Sequence, residues 1–144
     1  MRPGTPWPAA ALIEAGWAPL GVFGLHVVAS RVLHLYVVYP PADIAMHGLG
    51  GIAIAYFFWR AARRASEAGA IGTLNRAGLG VLVFGLTCAA AVFWEFAEYL
   101  SDRYMGTKAQ LGLEDTLGDM LVGIVGGAAF LLQRFWAGPE QGGR

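Results

Sequence analysis

Three stretches of this chain, roughly residues 43–62, 78–101 and 115–136, are each long and apolar enough to cross a bilayer. A crossing helix needs about 20 mostly apolar residues, because each residue rises about 1.5 Å along the axis. A fourth stretch, residues 17–38, is also apolar but carries His26, Arg31 and His34. It reads as a further span, shielded by its neighbours; the alternative is a helix lying in the membrane interface. A backbone in lipid must satisfy its own hydrogen bonds, which leaves helices or a closed barrel. Runs this long specify helices. The expected fold is therefore all-α: one domain over residues 1–144, a bundle of four transmembrane helices.

Composition agrees. The chain has 144 residues, 56% of them hydrophobic and 14% charged, with no net charge. Soluble domains carry about 25% charged residues. A neutral chain without a basic stripe argues against a nucleic-acid partner. Cys88 is the sole cysteine, so no intrachain disulfide can form, and its place in an apolar run reads as packing. The first residues, MRPGTPWPAAALIEAGW, lack the basic start, clean apolar segment and small-residue cleavage site of a removed signal peptide.

Breaks between the runs are clear. Pro40-Pro41 separates the first two spans, since a proline biases the preceding residue away from helix. Charged, Gly-containing residues 63–76 and polar residues 103–112 separate the others, and residues 137–144 read as a disordered tail. Arg60, Arg63, Arg64 and Arg76 surround the loop between the second and third spans, which the positive-inside tendency places in the cytoplasm. Four spans then put both termini there too. The expected location is the bacterial inner (cytoplasmic) membrane, as a multi-pass protein.

The acidic residues sort to the other side. Glu95, Glu98 and Asp102 fall within about 60° on one helix. Asp43 and His47 are four residues apart, as are Asp115 and Asp119, so each pair shares a face. From the outer ends of their helices, His47, Glu98 and Asp119 each lie about 6 Å deep and Glu95 about 10 Å. A carboxylate facing lipid is costly, about 2.5–3.5 kcal/mol on insertion scales. The stripes should therefore face one another and line a pocket open to the outside.

So many carboxylates need protons, cationic partners or a metal. Arg31 is a candidate counter-ion, and Arg103 and Lys108 stand at the mouth. One imidazole with several carboxylates suits a divalent metal, Zn, Mn, Fe or Mg. The candidate ligands are His47, Glu98, Asp119, Asp43 and Asp102, with Glu95 or Asp115 as general base. Three readings stay open: a metal site, an Arg/acid structural network, and a proton or cation pathway. They correspond to a metal-assisted hydrolase of an amphiphilic envelope substrate, a non-enzymatic subunit of a membrane complex, and a small dimeric carrier. Gly123 and Gly127, with the glycines of 48–51, mark close helix packing, within the bundle or across a homodimer. Trp94 and the tyrosines 36, 39, 99 and 104, with Trp59 and Trp136 at the opposite end, read as aromatic belts.

HGLGG (47–51), WEFAEYLSD (94–102) and GLEDTLGDMLVGIVGG (112–127) resemble the YjdF-like (DUF2238) family of small bacterial inner-membrane proteins. The chain is more distantly similar to the VanZ-like family. The shared features are an Asp/His pair opening one helix, Glu-x-x-Glu-aromatic ending the next, and Asp-Thr-x-x-Asp-Met opening the last. They fall on Asp43, His47, Glu95, Glu98, Asp115, Thr116, Asp119 and Met120. The resemblance implies an integral membrane protein with an outward acidic site and is nearly silent on reaction. VanZ-like members are linked to glycopeptide-antibiotic tolerance, which implies envelope lipids or glycans.

Overall fold

The computed structural model describes residues 5–137 and is built of helices. Three are long: α4 (Pro41–Glu67), α5 (Arg76–Met105) and α6 (Leu113–Trp136). They contain the three strongest apolar runs and extend beyond them by a few residues, and each is long and apolar enough to cross a membrane. The α5 start is capped by Asn75, whose Oδ1 accepts from Gly78 N at 2.7 Å. Its end falls at Gly106, with φ 67°, a left-handed position that suits glycine.

The N-terminal part departs from a simple span. A helix the sequence did not suggest, α1 (Trp7–Ala15), is joined at Gly16 to α2 (Trp17–Val27). The prolines around it sit at its first turn, where a missing N–H costs nothing. A π-helical turn, Val28–Val32, continues α2, and α1 meets this unit with a bend of 50°. Only if this bent pair is one span does the bundle have four crossings.

The single helix expected over 17–38 ends early, at His34, which adopts φ 48° and ψ 34°. A four-residue helix α3 (Leu35–Val38) follows. One contact goes with this break. The Tyr36 hydroxyl and His26 Nδ1 share a hydrogen bond of 3.0 Å. Residues ten apart on a continuous helix would be separated by about 15 Å of rise, so the chain must fold back to make it. Residues 138–144, most of the segment read as a disordered tail, lie outside the described residues.

Helices α4 and α6 form the tightest pair, through glycine. A Cβ on Gly51 would stand 1.9 Å from Gly123 O, and one on Gly126 would stand 2.2 Å from Gly48 O. Backbone meets backbone there, so the glycines serve packing inside the bundle. Below this crossing, Ala55, Trp59, Ala62, Leu79, Val83 and Leu131 form the apolar core. Trp59 belongs to this core, packed edge-on to Phe130, and not to an interfacial belt. Helix α1 is tied to α4 by Glu14, which pairs with Arg60 and accepts from Arg64 Nε at 2.8 Å.

Candidate functional site

Burial runs opposite to that of a soluble protein. Glu95, Glu98 and Asp119 are 5%, 8% and 5% exposed, while Val81 and Phe93 are 75% and 71% exposed. Large apolar side chains face outward and carboxylates face inward, the arrangement a lipid solvent demands.

The inward carboxylates surround one imidazole. His47 stands in the second turn of α4, four residues after Asp43, so both use the face turned toward α6 and α5. His47 Nε2 is 3.7 Å from Asp43 Oδ1 and 3.7 Å from Asp119 Oδ2. On the other side of the ring, Nδ1 is 4.0 Å from Glu95 Oε1. Two groups of potential ligand atoms result, each mutually within 4.8 Å: Asp43, His47 and Asp119, and His47, Glu95 and Glu98. His47 belongs to both, so the set expected from sequence, His47 with Glu98 and Asp119, is divided between the two faces of one ring.

The two faces differ in what is already bonded. Glu98 Oε1 accepts from Trp94 Nε1 at 2.9 Å. Trp94 therefore turns inward, away from the interfacial belt expected of it. Glu95 Oε2 accepts from Gln110 Nε2 at 3.2 Å, and the same amide donates to Glu95 O at 3.0 Å. Glu95 Oε1 is buried and has no hydrogen-bond partner among the described residues. An orphaned buried carboxylate oxygen carries a large desolvation cost, which a cation or proton would offset.

Other expected participants are elsewhere. Asp102 clamps the α5–α6 loop: it pairs with the Thr107 hydroxyl and accepts from Ala109 N at 2.8 Å and Gln110 N at 3.0 Å. It belongs to neither ligand group. Asp115 accepts from Leu111 N at 3.0 Å at the start of α6, again outside both groups. Arg31 is exposed on the π-helical turn, and among the described residues neither it, Arg103 nor Lys108 forms an ion pair. The acids around His47 thus have no Arg or Lys partner among the described residues.

A cavity of about 140 Å³ opens beside this cluster. His47, Glu95, Asp119 and His26 give it polar groups; Val22, Phe23, Met46, Ile54, Ala91 and Met120 line much of the rest. His26, Trp94 and Gln110 had not been read as parts of the site. The Trp94/Glu98 spacing of four was a usable signal, since such residues adjoin on a helix. Nothing in the spacing of Gln110 from Glu95 would have joined them.

Apolar exteriors on long helices and buried acids between them define a polytopic α-helical membrane protein, surrounded by a lipid bilayer. More specifically, the chain belongs to the family described as predicted membrane protein (DUF2238), whose sequence model matches residues 9–137. It is also 28% identical over 103 residues to an uncharacterized protein of Thermotoga maritima, covering 71% of this chain and 52% of that one. The chain thus spans about half the length of the curated relative it matches. No solved structure matches. The VanZ-like resemblance gains no support from these comparisons.

Proposed function

We propose that this protein holds a divalent metal ion at His47 and uses it to hydrolyse an ester or phosphoester bond of a membrane amphiphile. The observation that carries the reading is the approach of Asp43 and Asp119, each 3.7 Å from His47 Nε2, within a set of acids that no Arg or Lys among the described residues neutralises. The Nε2 face is the better ligand set. Two carboxylates approach it at 3.7 Å, whereas on the Nδ1 face Glu98 is already engaged by Trp94. Ligand atoms on a tetrahedral ion lie about 3.3 Å apart. The two 3.7 Å approaches to His47 Nε2 are near that, and Asp43 and Asp119, within 4.8 Å of each other, would have to draw together to share an ion.

Three protein ligands leave a position open for water, as catalytic sites do. The ion would lower the pKa of that water. Glu95, on the opposite, Nδ1 side of the ring, would accept the Nδ1–H and so orient the imidazole toward the ion. The reaction supplied would be hydrolysis: the water oxygen would bond to the carbonyl or phosphoryl centre, the ester C–O or P–O bond would break, and the proton lost by the water would end on the leaving alkoxide, giving an acid and an alcohol. The apolar core below the cluster favours a blind site over a pathway for ions or protons. Both termini, by this reading, face the cytoplasm of a bacterium, and the site faces outward from its inner membrane.

Elemental analysis of detergent-purified protein, grown metal-replete, tests the binding. About one equivalent of Zn, Mn or Fe per chain is expected, and its loss in His47→Ala. Metal-free wild type that also takes up none on titration would overturn the proposal.

A further inference from the structure

We infer that the cavity beside His47 is a binding site for a single-chain anionic amphiphile, which reaches it sideways from the bilayer between α2 and α5. The inference deepens the proposed function, and its choice of an anionic headgroup rests on the metal placed there.

The first observation is a gap in the packing. Helix α2 packs on α1 and α4, yet no Cα of α2 comes within 8 Å of α5 or α6. Side chains bridge that seam. Trp94 on α5 meets the Phe23 ring at 6.1 Å and the His26 ring at 5.2 Å, both edge-on. The cavity lies directly behind these rings, with Phe23, His26 and Trp94 in its wall. A seam held by rings alone opens by rotamer changes, without moving a helix; such flips take nanoseconds when the residues are exposed and are slower in packed positions.

The second observation is the cavity's polarity. Its acidic end, His47 and Asp119, lies near the starts of α4 and α6. Its walls then continue inward past Gly50 and Ile54 on α4 and past Ala91 to Thr87 on α5. An amphiphile in one leaflet has the same orientation, with its polar group near the surface and its chain toward the midplane. A void of about 150 Å³ lined by apolar groups holds a benzene-sized body. The cavity therefore accepts a length of one chain, not a two-chain phospholipid. Bare carboxylates would repel an anionic headgroup; a cation on His47 turns the same end into an acceptor for phosphate or carboxylate oxygens.

The test is photolabelling of the full chain, metal-loaded, in lipid nanodiscs, with hexadecyl phosphate bearing a diazirine on its chain. The expected label falls on cavity residues within 46–54 and 87–94, and unlabelled hexadecyl phosphate competes it away. Gly50→Leu projects into space where a Cβ meets nothing within 4 Å. It should cut cavity labelling about tenfold or more while labelling of outward-facing Val81, Phe93 and Leu132 persists. Ala91→Phe fills the same cavity from α5 and replaces Gly50→Leu if that variant fails to fold. Label confined to outward-facing residues, or cavity label indifferent to both variants, overturns the inference. Competition by hexadecyltrimethylammonium in preference to the phosphate overturns the headgroup assignment. Metal removal separates the two proposals: chain labelling that survives it while losing the preference for phosphate over hexadecanol supports both. A metal-bound protein whose cavity takes no label sinks this inference and leaves the metal site standing.

Discussion

Toward the ends of α4 and α6 and the start of α5, the bundle is filled by Ala55, Trp59, Ala62, Leu79, Val83 and Leu131. Toward the opposite end the same three helices enclose Asp43, His47, Glu95, Glu98 and Asp119, with an unpartnered oxygen and a cavity. The first region gains dispersion contacts from close packing, the main attraction between helices in lipid. The second carries desolvated carboxylates that cost stability unless something neutralises them. Each end holds one buried polar atom without a hydrogen-bond partner among the described residues, Trp59 Nε1 in the packed end and Glu95 Oε1 in the acidic end, but only the acidic end has carboxylates and a cavity. On the function proposed above, the first end serves stability and the second binding.

The largest effect should come from the glycine crossing that joins the two regions. Gly51→Val places a Cβ 1.9 Å from Gly123 O, where only backbone can yield. A loss above about 4 kcal/mol, or failure to fold, is expected in thermal unfolding followed by circular dichroism. A variant that melts like wild type would show that α4 and α6 do not cross there.

Asp119→Asn should behave in the opposite sense. Without metal it removes a buried charge, so its melting temperature should equal or exceed that of metal-free wild type. With metal at about one hundred times the dissociation constant, wild type should gain about 2.7 kcal/mol, and the variant little of it. An equal gain in both would remove Asp119 from the ligand set.

A smaller effect separates Asp102 from the ligands. Asp102→Asn weakens the bonds to the 107–110 loop and should cost about 1–2 kcal/mol, while metal content stays at the wild-type level. Loss of metal with an intact loop would restore Asp102 as a ligand. Smallest is Glu14→Gln in the partly exposed pairs with Arg60 and Arg64. About 0–1 kcal/mol is expected, shrinking as salt is added to the unfolding assay. A drop of several kcal/mol would make the α1–α4 clamp a main support of the fold.

Much of this was legible in sequence because the bilayer imposes length and polarity on every span. The three long helices follow from apolar runs, and the loops from Pro40-Pro41, the charged residues 63–76 and the polar residues 103–112. The inward convergence of Asp43, His47, Glu95, Glu98 and Asp119 was readable from spacings of three and four. What was not legible depends on contacts between segments. The turn at His34 brings Tyr36 back to His26, a contact ten residues apart that helical periodicity does not suggest. Trp59 and Trp94 read as belt residues from the apolar runs, but α4 and α5 continue well past them, to Glu67 and Met105, and packing against Phe130 and a bond to Glu98 hold them inside. Asp102 and Asp115 lie on the expected faces, yet nearby backbone N–H groups in the α5–α6 loop engage them. A helical wheel gives direction and depth; it does not reveal which partner takes a carboxylate first.

X-ray absorption at the metal edge of loaded, gel-filtered protein tests the central claim most directly. The account predicts a first shell of one imidazole nitrogen and carboxylate oxygens at about 2.0–2.2 Å, with the imidazole signal gone in His47→Ala. A shell of water oxygens alone, or an imidazole signal that persists in His47→Ala, would contradict it.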